Sequence, residues 1–179
     1  RVTLDGDGHT ITGTSTENTS GDQHVGVWIN SQYHTMGIKD LTIDTFAYGI
    51  KSYYTNGITI SGVTMQNIGK IGISLDSVDS MLIENNIISA PAISVAGSFQ
   101  GMQLSGVNQH VGIGDGSCVG TGQYVSPGIA QNAPMVIKNN QITRGNLQIN
   151  AGTNWCLEGN TITKGTFNIG LSYDYSTVP

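Results

Sequence analysis

The sequence is poor in charge. Of its 179 residues, Lys and Arg contribute 7 and Asp and Glu 12, so charged residues make up 11%, against roughly a quarter in ordinary globular domains. Only Arg1 and Arg144 are arginines, and the net charge is −5. No basic patch exists to neutralise a row of phosphates, which argues against nucleic acid as a partner. Long hydrophobic runs are also missing: nothing approaches the ~20 apolar residues that span a bilayer, so membrane insertion is not expected. No stretch carries the 3, 4, 7 spacing of an amphipathic helix, and no substantial helix is expected. No secretory leader is visible, but the chain opens on Arg1 rather than Met. That suggests a processed or excised segment from which a leader was removed.

Cysteine is scarce too. Cys118 and Cys156 are the only two, far apart and outside any metal-type cluster. Two free thiols and a disulfide are both open, and strand phase, argued below, favours the disulfide. His9, His24, His34 and His110 show no metal-ligand spacing, so no metal site is expected. Asn18-Thr19-Ser20 is a glycosylation sequon in a Ser/Thr/Asn/Gly-rich stretch, which fits an exposed loop in an extracellular setting.

What is present is glycine, 25 residues of it, with abundant Asn, Ser and Thr and a hydrophobic share of 37%. These residues recur in a pattern. Gly26-Val27-Trp28-Ile29, Gly49-Ile50-Lys51-Ser52 and Gly72-Ile73-Ser74-Leu75 align, and each precedes a second apolar segment centred on Ile38, Ile60 and Ile83. Anchored on that second segment, the series reads Leu4, Ile38, Ile60, Ile83, Leu104, Ile137, Leu157, with steps of 34, 22, 23, 21, 33 and 20. The two long steps imply insertions near 12–23 and 108–134. Within each segment apolar residues alternate with Thr, Ser, Lys and Glu, the period of a strand with one buried face.

A repeat of about 22 residues built from short strands cannot bury its own apolar face. Coils stacked ~4.8 Å apart can, because each strand then pairs with its equivalent one layer away. The expectation is a single right-handed parallel β-helix domain over 1–179 with about seven coils and a last half-coil at Phe167–Leu171. Met36, Ile58, Met81, Met102, Met135 and Trp155 should form one inward column, and Ile38, Ile60, Ile83, Leu104, Ile137 and Leu157 another. Asn85-Asn86, Asn139-Asn140 and Asn160 recur at one turn, where stacked amides can satisfy turn backbone groups.

Val2-Thr3-Leu4-Asp5-Gly6-Asp7-Gly8-His9-Thr10-Ile11-Thr12-Gly13, with the later I-x-N-N-x-I and G-I-x-(apolar) pieces, resembles the pectin-lyase-like superfamily, in particular its NosD-type parallel β-helix repeat proteins. The resemblance spans nearly the whole chain outside the insertions. It implies the fold strongly and the activity poorly, because the superfamily holds lyases, hydrolases, epimerases, tailspikes, adhesins and structural proteins.

The lyases of that superfamily use calcium-binding carboxylates with a Lys or Arg base. The candidates here are Lys51 and Asp76, with Asp79 nearby, and calcium enters only under this reading. By alignment Lys51 stacks beside Trp28 and Ser74, and Tyr53 beside Asn30 and Asp76. Trp28, Lys51, Tyr53, Tyr54 and Asp76 could together hold a sugar by ring stacking and hydrogen bonds; a decorated solvent face is the simpler reading of the same residues. The Gly-His-Gly and Arg-x-Lys motifs of the hydrolases are absent, and no carboxylate pair is fixed by spacing. Asp5-Gly6-Asp7-Gly8 lacks the closing Glu of a calcium loop and reads as a turn. Gly112-Ile113-Gly114-Asp115-Gly116 precedes no helical pattern, so it is no dinucleotide fingerprint.

Cys156 lies between inward Trp155 and Leu157 and should point outward, where it could meet Cys118 and pin the second insertion. The chain begins and ends close to strand, so its terminal coils present open sheet edges. They are expected to be covered by a copy of the chain stacking head to tail, which propagates as a filament, or by a neighbouring capping domain. The reading favoured by the residues is an extracellular or cell-surface structural or adhesive module without catalysis. Its alternative is a polysaccharide-acting enzyme or glycan-binding domain.

Overall fold

The computed structural model describes residues 1–16, 24–30, 34–78, 80–91, 99–106, 135–151 and 155–170. Among these residues there is no helix, and so none long and apolar enough to cross a membrane. The described residues form eighteen strands in three six-stranded sheets. Sheet A contains β1 (Val2–Asp5), β4 (Thr35–Lys39), β7 (Gly57–Ser61), β10 (Met81–Glu84), β13 (Met135–Lys138) and β16 (Trp155–Glu158). Sheet B contains β2 (Thr10–Thr12), β5 (Thr42–Asp44), β8 (Thr64–Gln66), β11 (Ile87–Ser89), β14 (Gln141–Thr143) and β17 (Thr161–Thr163). Sheet C contains β3 (Val25–Asn30), β6 (Tyr48–Tyr53), β9 (Ile71–Val78), β12 (Gln100–Gly106), β15 (Asn146–Ala151) and β18 (Phe167–Ile169). All pairings are parallel, and each strand pairs with its equivalent one coil away. The result is a parallel β-helix; parallel crossovers of this kind are right-handed almost without exception.

The described residues form six coils, not seven. Met102 and Leu104 do not belong to the Met36 and Ile38 columns of sheet A: they lie in sheet C, where they pair with Ile73 and Leu75 of the coil before and Leu147 and Ile149 of the coil after. The sheet A partner of Ile83 is Ile137. Gly101-Met102-Gln103-Leu104 is thus the fourth member of the Gly26, Gly49 and Gly72 series, and alternation alone could not tell the two kinds of strand apart. Phe167–Ile169 likewise completes the sixth coil as β18 rather than beginning another. The second insertion lies between β12 and β13, and residues 107–134 are outside the described residues.

The remaining columns stand as expected. Ile38, Ile60, Ile83 and Ile137 are in register and essentially inaccessible to solvent. Sheet B adds Ile43, Met65, Ile88 and Ile142, and sheet C adds Ile50, Ile73, Met102 and Leu147, to one continuous core. Each fully buried aliphatic side chain contributes roughly 1.5–3 kcal/mol. Only at the two ends do inward positions open: Val2, Leu4, Phe167 and Ile169 are exposed because no coil lies beyond them among the described residues.

The corners follow from residue type. Asp40, Gly62, Asn85, Asn139 and Gly159 occupy equivalent positions between sheets A and B, and all have φ between 51° and 63°, the left-handed region that Gly, Asn and Asp enter most cheaply. Arg144, alone in sequence, takes the equivalent corner between sheets B and C with Thr45, Asn67 and Lys164. The glycines that open the sheet C strands answer a different need. A Cβ on Gly49 would sit 2.5 Å from the Gly72 carbonyl, and one on Gly72 2.5 Å from that of Gly101. The coils can approach there only without side chains.

The Asn stack is a hydrogen-bond ladder. Asn86 Nδ2 donates to Asn140 Oδ1 (2.9 Å) and to the Ile60 carbonyl (3.0 Å); Asn140 Nδ2 donates to Asn160 Oδ1 (2.9 Å) and to Ile83 (2.9 Å). The same oxygens accept backbone N–H groups of the preceding coil: Asn86 from Val63, Asn140 from Asn86 and Asn160 from Asn140.

Candidate functional site

The outer face of sheet C holds a polar cleft. Outward residues stack as Trp28, Lys51, Ser74, Gln103 and Gln148, and alongside them as Asn30, Tyr53 and Asp76. Tyr48, Ile71 and Gln100 form a third column. Around them lies a cleft of about 420 Å³ lined chiefly by Tyr48, Lys51, Tyr53, Lys70, Asp76 and Gln100, with Ser74, Gln103, Ser105 and Asn150 completing its polar wall.

Strand phase aims Lys51 outward, as the alternation requires, yet its side chain is almost wholly buried at 5% exposure. Two tyrosines flank it: its ammonium lies 4.8 Å from the Tyr48 ring centroid and 5.1 Å from that of Tyr53. Lys70 approaches Tyr48 as well, at 5.1 Å. Both cations thus sit against aromatic rings, where the negative quadrupole face attracts them.

Amides supply a further part of the lining. Gln100 Nε2 donates to Gln148 Oε1 (3.3 Å), and Gln148 Nε2 donates to Asn150 Oδ1 (2.6 Å). This polarised row begins at Gln100 Oε1, a buried oxygen without a hydrogen-bond partner. Asp76 accepts from its neighbour Ser77 through Oδ1 (3.2 Å). Asp76 is the one carboxylate of the described lining, whereas glycoside hydrolysis uses two, roughly 5–9.5 Å apart. The lining thus combines aromatic rings, amides, hydroxyls and ammonium groups with one carboxylate.

Of the residues singled out in sequence, the fold brings Lys51, Tyr53 and Asp76 together. Trp28 stacks beside Lys51 in register but is 48% exposed and outside the lining. Tyr54 follows the end of β6 with φ 55° and is also exposed and outside it. Tyr48, Lys70, Gln100 and Gln103 were not anticipated. The signal for the two glutamines was the Gly101-Met102-Gln103-Leu104 match, hidden by placing Leu104 in the wrong sheet.

The other expectations are scattered. Asp5 pairs with Lys39 at 2.6 Å, and its Oδ1 accepts the Asp7 backbone N–H. That pairing with Lys39 holds the Asp5 carboxyl below its ordinary value. Among the described residues no group of three or more His, Cys, Asp or Glu side chains could hold a metal ion. Cys156 is half-buried and disulfide-bonded; Cys118, the only other cysteine of the sequence, lies outside the described residues, as do Asn18 and Asp79. Compared with protein families, curated proteins and solved structures, the chain matches none.

Proposed function

We propose that the chain is an adhesive β-helix module of the extracellular space or cell surface that holds a glycan in the sheet C cleft. The observation that carries this reading is the joint placement of Tyr48, Lys51 and Tyr53, on one strand, with Asp76 of the next coil around one cleft. Carbohydrate sites combine aromatic surface with polar groups that orient hydroxyls; the half-buried Tyr53 and the Asp76, Gln100 and Gln103 side chains of the lining support the reading. The Asn18 sequon and the disulfide at Cys156 support an oxidising, extracellular setting.

Titration calorimetry against a panel of neutral and acidic oligosaccharides tests the reading. At least one glycan should bind, and Tyr53→Ala and Asp76→Asn should each weaken it about tenfold or more, the loss of one well-placed contact, with the circular dichroism unchanged. No binding across the panel would overturn it.

Polysaccharide cleavage is the second reading, favoured by the burial of Lys51 in the cleft that also holds Asp76. Release of unsaturated products from a uronate polymer, abolished by Lys51→Ala with the fold intact, would establish a lyase in place of a binding module.

A further inference from the structure

The axial face beyond coil 6 carries instructions about what can cover it. The Asn ladder runs in one direction. Asn86 and Asn140 each point two donors, the backbone N–H and one Nδ2–H, at a single side-chain oxygen of the next coil: Asn86 at Asn140 Oδ1, and Asn140 at Asn160 Oδ1. Asn160 uses one Nδ2–H on the Ile137 carbonyl (2.7 Å). Its backbone N–H and second Nδ2–H have no partner among the described residues and face the next layer.

A second pattern runs beside it on the outside of sheet A. The column reads Asp5, Lys39, Ser61, Glu84, Lys138, Glu158. Opposite charges meet within it, Asp5 with Lys39 at 2.6 Å and Glu84 with Lys138 at 3.1 Å. Coil 4, with Glu84 and Asn86, is received by coil 5 through Lys138 and Asn140. Coil 6 repeats the pair as Glu158 and Asn160.

We infer that the surface formed by β16 and its turn is a docking edge for a capping domain whose first parallel coil bears Asn at the ladder position and Lys or Arg in the Glu158 column. A second copy of this chain fits poorly. Stacked in register, it continues the apolar columns, setting Leu4 on Leu157 and Ile11 on Ile162. It also sets Asp5 on Glu158, like charges directly opposed, and His9 on Asn160. His9 occupies the ladder position of coil 1, since its carbonyl accepts from Thr42 as that of Asn140 accepts from Thr161. Its ring offers no oxygen, and Nδ1 lies 2.9 Å from the Gly6 carbonyl of its own turn. The edge therefore selects against self-stacking by the same contacts that select its partner.

Sedimentation of this chain tests the rule, because exposed substitutions can give coil 1 the missing chemistry. At neutral pH the wild-type chain should sediment as a single species across a broad concentration range. His9→Asn with Glu158→Gln supplies the ladder oxygen and removes the opposed charge, so that variant should associate head to tail roughly tenfold or more tightly. Mixing the E158Q chain with the H9N chain creates one complementary junction per pair and should give dimers rather than filaments. Wild-type filaments at neutral pH would overturn the inference. So would a double variant that keeps its β spectrum and remains monomeric; should it fail to fold, the mixture of single variants decides alone.

Discussion

Asn86 and Asn140 are 54 residues apart in sequence, yet one oxygen joins them twice: Asn140 Oδ1 accepts Asn86 Nδ2–H at 2.9 Å and the Asn86 backbone N–H at 3.1 Å. Both residues are fully buried. A buried polar group left without its partner costs about 1–3 kcal/mol, and Asn140→Ala strips partners from several at once. The expected loss is about 3 kcal/mol in urea unfolding. Asn139→Ala, at the exposed neighbouring corner, should cost less, mainly through its left-handed φ of 54°.

Core position along the axis should grade the cost of truncation. Ile60 is inaccessible between Ile38 and Ile83, whereas Leu4 at the end of the same column is 43% exposed. Ile60→Ala should destabilise by about 2–5 kcal/mol and Leu4→Ala by about 1 kcal/mol or less, in proportion to the apolar area it buries. Equal denaturation midpoints for the two variants would contradict a core continuous along the axis.

Stability should decline in acid partly through Asp44. Hydrogen bonds from Asn67 (2.9 Å) and Gln66 (3.0 Å), with a further one from Thr45, hold its carboxyl below the ordinary value. The unfolded chain then takes up the proton at higher pH than the folded one, so this contribution is present above the unfolded value of ~3.9 and is lost as pH falls through the folded pKa. Asp44→Asn should be less stable than wild type at pH 7 and should converge on it in strong acid. Chemical denaturation at a series of pH values checks this.

Cys156 should resist alkylation in native and in denatured, unreduced protein, and should label only after reduction. If its partner is Cys118, the closed loop is long, and Cys156→Ser should cost about 3–4 kcal/mol in the chain-entropy model. Peptide mapping without reduction identifies the partner.

Legibility differed between scaffold and site. The columns through Ile38, Ile60 and Ile83 could be read directly, because equal side chains recur at equal spacing only if they stack. So could the outward pairing of Lys51 with Trp28 and Ser74, which the register reproduces. Leu104 went to the wrong sheet because a Gly-led strand of sheet C and a strand of sheet A carry the same alternation, and the insertions removed the spacing that separates them. That one displacement also hid Gln100 and Gln103 from the cleft they line.

The sequence by itself determined the architecture: period-two strands too short to bury a face alone, glycines where coils touch, and Asn, Asp or Gly at the left-handed corners leave stacking as the way to form a core. Tertiary structure alone decided what the outer surface does. Whether Lys51 lies in solvent or beneath Tyr48 and Tyr53 of its own strand depends on rotamers, and whether Asp76 shares a cleft with Gln100 depends on how successive coils stack. Outward side chains answer to no core, so periodicity constrains which way they start and not where they end.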